Sequence, residues 1–169
     1  IDAPVSNIDW IPTLLELAGG TAPDNLDGES FAKELLGGEF PQRPLFWHFP
    51  HYTNQGGRPS GAMRDGDWLL VELYDVDRFE LYDLSDDIGE TRDCAEEHPD
   101  RAASMRAAFD AWRREVNAQY NSPNPDCDEK LFKELYIDTN TSLFDPLTAD
   151  EAEWSRIHAW RKGMDAVIR

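Results

Sequence analysis

A change in the spacing of apolar residues after Pro44 constrains the fold more than any other feature of this sequence. Four short runs rich in aromatic and aliphatic residues follow, separated by turn residues: LFWHF, GAMR, DWLLVEL and RFELYDL. Such runs are typical of β-strands. Asp65-Gly66 is a strong hairpin signal, because a type I′ turn needs positive φ at both central positions. The spacing therefore predicts a small antiparallel sheet of about four strands in meander order.

The segment before these runs has the pattern of an amphipathic helix. In NIDWIPTLLELAGG, Asp9 can cap a helix that the Gly-Gly pair ends. Its apolar stripe, at i, i+3, i+4 and i+7, consists of Ile11, Leu14, Leu15 and Ala18. The sequence thus predicts a helix that buries this stripe against another part of the protein.

Two more helices are predicted after the strands. Pro99 opens the first, which should lie across one face of the sheet on the stripe Ala102, Met105, Phe109, Trp112 and Val116. A capping box from Thr148 to Glu151 opens the last, with the stripe Trp154, Ile157, Trp160, Met164 and Val167. LFKELYI, between them, suits a strand or a short helix equally. The predicted class is α+β, with a sheet packed on a long helix.

Charge limits the partners of the chain. The chain has 16 Lys and Arg residues and 34 Asp and Glu residues, which gives a net charge of -18. Such a surface repels phosphate backbones, so no nucleic-acid partner is expected, and an anionic ligand would need a local basic pocket. No run approaches the roughly 20 apolar residues of a membrane span, so none is predicted. Cys94 and Cys127 lie outside zinc-ligand spacing, and form either one disulfide or two free thiols.

Candidate binding residues concentrate in FWHFPHYTNQGGRPSGAMRDGDW. His48 and His51 flank Pro50 and precede a glycine-rich loop. The forked guanidinium groups of Arg58 and Arg64 suit sulfate, phosphate or carboxylate, although a cross-strand salt bridge explains Arg64 equally well. With no serine or cysteine elbow, carboxylate pair or phosphate loop, no catalytic residue is predicted.

The acidic run DLSDDIGE invites a calcium interpretation, because Asp83, Ser85 and Asp87 alternate. An EF-hand loop needs glycine at its sixth position and glutamate at its twelfth, where this chain has Ile88 and Cys94. A solvated acidic turn is the better interpretation, and no metal site is predicted.

Five segments together resemble the C-terminal portion of the type I sulfatases, in the alkaline-phosphatase-like superfamily. They are VSNIDWIPTLLELAG, LDGESFAKELLGG, RPLFWHFPHY, GAMRDGDWLL and ELYDLSDDIGET, in that family's order and spacing. One departure is Leu69, where relatives commonly have lysine in R-x-G-x-[WY]-K-L. Residues 121–169 carry no such resemblance.

The resemblance implies three regions: 1–40 would end an α/β catalytic domain, 41–120 would form the C-terminal domain of sheet and helix, and 121–169 a helical extension. Calcium and a formylglycine, made from Cys or Ser in C/S-x-P/A-x-R, would lie in a preceding N-terminal part, since neither cysteine here fits that motif. The chain alone would then be inactive.

The same resemblance makes His48, His51, Arg58 and Arg64 candidates for contact with a sulfated carbohydrate or aryl sulfate substrate. It implies a periplasmic or secreted enzyme whose missing catalytic domain is the partner of this chain. There are two alternatives. The chain is a free-standing binding module with the same fold, or it is part of a phosphoric-ester hydrolase of the superfamily.

Overall fold

The computed structural model describes residues 3–53, 55–141 and 144–167. Its elements are a 3₁₀ turn (Asn7–Asp9), α1 (Trp10–Leu17), α2 (Ala32–Leu35), β1 (Leu45–Phe49), β2 (Ser60–Asp65), β3 (Trp68–Leu73), β4 (Arg78–Asp83), α3 (Pro99–Glu115), α4 (Glu129–Phe132), a π-helical turn (Lys133–Ile137) and α5 (Glu151–Val167). The predicted α+β class is confirmed. None of the helices in these ranges is long and apolar enough to cross a bilayer.

The four strands form one antiparallel sheet in the order β1-β2-β3-β4, which is the predicted meander. The hairpin between β2 and β3 is present, but its turn differs from the predicted one. Its loop is Gly66-Asp67, and only Gly66 has positive φ, at 61°. Asp65 ends β2 instead, so a single glycine supplies the left-handed conformation that the turn requires.

The chain divides into two compact units. Unit 1 combines the residues up to Phe46 with Met63–Leu70 and Leu81–Ala107; unit 2 combines Trp47–Ala62, Val71–Glu80 and the residues from Ala108. Buried apolar residues of unit 1 include Phe31, Leu45, Met63, Leu70, Leu81 and Met105, and those of unit 2 include Phe109, Leu135 and Met164. The division into 1–40, 41–120 and 121–169 stays a prediction.

In unit 1, helix α1 buries its polar side. Asp9 and Thr13 are fully buried, whereas the Ile11 and Leu14 side chains are 58% and 54% exposed. Thr13 donates its hydroxyl to the Asp9 carbonyl (2.6 Å) and accepts from the Phe31 amide (3.1 Å). Within this chain three of the four residues of the predicted apolar stripe are exposed and Leu15 is half-buried, because polar contacts hold the helix from its other side.

In unit 2, the end of α3 departs from the predicted stripe. Arg113, four residues after the buried Phe109, is only 6% exposed, whereas Val116 is 50% exposed. The α3 ring of Phe109 also packs against the β2 backbone: a Cβ added at Gly61 would lie 2.4 Å from Phe109 Cζ and 2.0 Å from Tyr74 Oη. This close approach explains why glycine occupies that strand position.

The C-terminal helices settle one open alternative and correct one prediction. LFKELYI is helical, since it is shared by α4 and the π-helical turn. Helix α5 begins after Asp150, whose amide donates to Glu153 (3.0 Å) while its carboxylate accepts from the Glu153 amide (2.9 Å). The predicted capping box at Thr148 is wrong, because the Thr148 hydroxyl donates to Asp145 instead (3.0 Å).

Candidate functional site

His48, in β1, is held at both ring nitrogens. Nε2 lies 2.8 Å from the Gln119 carbonyl and Nδ1 lies 2.7 Å from the Tyr74 hydroxyl. A carbonyl can only accept, so Nε2 donates to Gln119, and with the proton on Nε2 the other nitrogen, Nδ1, can accept from the Tyr74 hydroxyl. Burial raises the pKa of the Tyr74 hydroxyl, which keeps it protonated as this donor. The orientation of the imidazole is therefore fixed by the protein.

Arg58 forms a bidentate ion pair with Asp75, which follows β3 closely. Its Nε and Nη2 donate to the two carboxylate oxygens at 2.9 and 2.8 Å. Asp75 also accepts from the Tyr52 hydroxyl at 3.0 Å. Burial is the main cause that raises the pKa of Tyr52, and this hydrogen bond is the second. Residues 52, 53 and 55–58, here called the glycine loop, are thus anchored at both ends on one carboxylate.

The glycine loop is also closed internally. The Thr53 amide donates to the Gly57 carbonyl (2.9 Å), and the Gly57 amide donates to the Thr53 hydroxyl (2.9 Å). Gly56 has a φ of 89°, in the left-handed region that favours glycine. The glycines therefore serve a tight turn rather than a flexible linker.

His51, which immediately precedes the glycine loop, is exposed. Its ring meets the Phe49 ring edge-to-face at 5.4 Å. In the described ranges, neither of its ring nitrogens has a hydrogen-bond partner. Both ring nitrogens of the exposed His51 therefore remain available to a ligand.

Arg64 belongs to unit 1, whereas the other three candidates belong to unit 2. Its Nε donates to the Gly66 carbonyl at 3.0 Å, so it braces the hairpin loop rather than forming the cross-strand ion pair considered above. The adjacent residues Tyr74 and Asp75 bring His48 and Arg58 to one end of β3. Substrate contact by the four residues stays a prediction.

Sequence reasoning missed a buried charged cluster beside His48. Arg113 Nη2 lies 3.1 Å from the Glu72 carboxylate and also pairs with Asp110. Its guanidinium carbon lies 4.7 Å from the centre of the Phe109 ring and 5.2 Å from that of Tyr74. Burial alone would lower the pKa of Arg113, but the hydrogen bond to Asp110 and the charge of Glu72 outweigh it and raise the pKa.

This cluster borders a cavity of about 250 Å³ in unit 2. The cavity is lined by His48, Glu72, Tyr74, Asp77, Arg113, Gln119, Tyr120 and Asn121. Alternation along β3 could have indicated Glu72, because it shares a strand face with the buried Leu70. Spacing by four from Met105 and Phe109 could likewise have indicated Arg113.

The carboxylates of the acidic loop are used within the loop itself. Asp83 accepts from the amide of Ser85, and Asp87 from that of Arg92, so both carboxylates serve their own loop. Among the described residues, no three His, Cys, Asp or Glu side chains are grouped to hold a metal ion. Both cysteines are free: Cys94 is buried and Cys127 is exposed.

Comparison with known proteins gives one family match. A family model described as N-sulphoglucosamine sulphohydrolase, C-terminal, matches residues 1–117. The match includes the whole sheet, helix α3 and all four predicted site residues. Helices α4 and α5 lie outside it.

Two curated proteins and one solved structure are similar to the chain. It is 35% identical over 131 residues to a sulfatase of Formosa agariphila, covering 68% of this chain and 24% of that protein. It is 29% identical over 87 residues to an N-acetylglucosamine-6-O-sulfatase of Bacteroides thetaiotaomicron, covering 48% and 16%. A solved 2-O GAG sulfatase is 27% identical, with a TM-score of 0.58, covering 72% of this chain and 27% of that one. The chain thus spans a quarter or less of the length of these curated relatives.

Proposed function

The chain belongs to the family of N-sulphoglucosamine sulphohydrolase C-terminal regions, and we propose that it forms the substrate-facing part of an enzyme that hydrolyses sulfate esters of a carbohydrate. Two relatives support the substrate class through their names, an N-acetylglucosamine-6-O-sulfatase and a 2-O GAG sulfatase. The observation that carries the proposal is the exposed His51 beside a loop anchored at both ends on Asp75.

The geometry favours different tasks for the candidate residues. An exposed imidazole can donate to a sulfate or hydroxyl oxygen, so His51 contacts the substrate in this proposal. Arg58 directs Nε and Nη2 to Asp75 and shapes the loop. The net charge of -18 makes such a local donor necessary, since the overall field repels a sulfated ligand.

The catalytic chemistry belongs to the preceding part of the polypeptide in this proposal. A formylglycine and calcium there would supply the nucleophile and stabilise the sulfate charge. No step of the reaction is assigned to the side chains described here. A periplasmic or secreted location is part of the same proposal.

Replacing His51 by alanine in the complete protein should raise KM for N-acetylglucosamine 6-sulfate about tenfold and leave kcat unchanged. A hydrogen bond to a charged group contributes about 1.5–3 kcal/mol, and tenfold corresponds to 1.4 kcal/mol. Steady-state kinetics measure both constants. His158→Ala, on the exposed side of α5, is the matched control. Unchanged KM and preference on several sulfated sugars would leave the loop a structural feature only.

The missing catalytic domain is the proposed partner of helix α1. Its exposed side carries the large apolar residues Trp10, Ile11, Leu14 and Leu17, and Ile8 of the preceding 3₁₀ turn is exposed as well. Exposed patches of this kind mark interaction surfaces, and the matched family model is a C-terminal one. The region preceding this chain is therefore the occupant that fits the patch.

The double substitution Ile11→Gln and Leu14→Gln distinguishes an occupied patch from a free one. In this chain alone it should change the free energy of unfolding by less than about 0.5 kcal/mol, because both side chains are exposed. In the complete protein the double substitution should lower the free energy of unfolding by about 3 kcal/mol or more, as the replacement of buried aliphatic side chains does. Chemical denaturation of both forms gives the difference. Leu147→Gln, at a site 93% exposed, is the control, and equal costs in the two forms would contradict the proposal.

A further inference from the structure

We propose that the C-terminal helices act as a clasp that fixes the glycine loop and thereby sets the substrate preference at His51. The clasp is defined as α4, the π-helical turn and α5, all beyond the family match at residue 117. The inference rests on the proposed role of His51 for its functional part, whereas the hold on the loop is a separate property of the chain.

The first contact of the clasp is made by an indole ring. Trp160, from α5, lies against Gly56: a Cβ added there would be 3.1 Å from Trp160 Cζ2 and 3.4 Å from Cη2. Gly56 also has positive φ, so the indole contacts the glycine loop at the residue that forms its tight turn. Movement of this turn would require movement of Trp160.

The second contact is made by aromatic rings of α4 and the π-helical turn. The rings of Phe132 and Tyr136 meet the Tyr52 ring edge-to-face at 5.8 and 4.8 Å. The Tyr136 hydroxyl donates to the Thr53 carbonyl at 3.4 Å. Tyr52 directly follows His51 in the chain, so the direction in which His51 leaves the backbone depends on these rings.

The clasp is itself fastened together. Leu135 lies in the last turn of its helical segment, where backbone carbonyls lack an intrahelical partner. Its carbonyl accepts instead from the Trp160 indole N–H at 2.9 Å. A Cβ added at Gly163 would lie 2.9 Å from Leu135 Cδ2, so glycine allows the two segments to approach. Leu135 and Met164 are 5% and 0% exposed. The ring that touches the loop therefore has a defined position.

The glycine loop is thus held at two levels. Asp75 fixes its ends through Tyr52 and Arg58, and the clasp fixes its turn. The first level lies inside the family match and the second outside it. The clasp is accordingly a positioning element, not a catalytic one.

Trp160→Leu tests the hold on the loop in the full chain. Amide hydrogen exchange at Thr53, Gly56 and Gly57, followed by NMR, should become at least about tenfold faster, since local opening loses a contact. Tyr136→Phe, which removes only the hydroxyl, should accelerate the same amides less and keeps the test open if Trp160→Leu does not fold. Trp154→Leu is the matched control, because its ring touches Phe144 and His158 and not the loop. Exchange unchanged in both clasp variants would overturn the inference.

Kinetics of the complete protein test the functional part, with N-acetylglucosamine 6-sulfate as the probe. Trp160→Leu should raise KM about fivefold to tenfold with kcat unchanged, and Trp160→Phe, which keeps an aromatic ring against Gly56, should restore part of it. If His51→Ala raises KM and Trp160→Leu does not, the inference is overturned. If exchange accelerates but neither variant changes KM, the proposed function of His51 fails, and the specificity role fails with it.

Discussion

Arg113→Met is expected to lower the free energy of unfolding by about 3–5 kcal/mol, because it removes the cation that is ion-paired with a buried carboxylate. Glu72 is 7% exposed and lies 3.1 Å from the Arg113 guanidinium. The substitution keeps much of the apolar stem that packs on Phe109, so the loss reports mainly on charge. Urea denaturation followed by circular dichroism measures it.

The neighbouring residue provides a matched control for this substitution. Arg114 is exposed on the same helix, so Arg114→Met should change stability by less than about 0.5 kcal/mol. The double variant Glu72→Met and Arg113→Met should recover most of the loss, since an apolar pair can replace a buried ion pair. A loss below about 1 kcal/mol for Arg113→Met, or no recovery in the double variant, would contradict the assignment.

Arg113 also shows why the sequence predicted the fold better than the site. Strands and helices follow from local spacing, so the meander and the α3 stripe through Phe109 were accessible. A buried ion pair joins residues 41 positions apart, Glu72 and Arg113, and composition gives no reason to pair them. A polar residue at an apolar position of the pattern was the available signal.

The candidate site shows the same limit in a different form. His48 and Arg58 were chosen by residue type, which was suitable for binding an anion. Two of their partners, Tyr74 and Asp75, lie 26 and 17 positions along the chain and engage Nδ1 of His48 and Nε and Nη2 of Arg58. Residue chemistry in the sequence thus indicated a candidate segment, but the availability of each group depends on non-local contacts. The clasp, which follows the family match, was beyond reach for the same reason.

Helix α1 extends this reasoning to stability. Asp9 was predicted as a helix cap, and the structure makes it the centre of a wider network. Its carboxylate accepts from the amides of Ser6 (2.7 Å) and Glu29 (2.9 Å) and pairs with Arg43. Asp9 is fully buried and the Arg43 side chain is 16% exposed. The connection from α1 to β1 is therefore tied down by one carboxylate.

Asp9→Ala is expected to cost about 3–5 kcal/mol, because it leaves a largely buried guanidinium and two amides without their acceptor. Asp9→Asn keeps one acceptor oxygen and removes the charge, so it should cost about half as much. Urea denaturation gives both values, and hydrogen exchange at the Glu29 and Phe31 amides should accelerate in parallel. Glu16→Ala, on the exposed side of α1, is the control for helix effects. Equal costs for the alanine and asparagine variants would indicate that the charge of Asp9 is unimportant, and that the amide contacts alone hold α1 to the segment before β1.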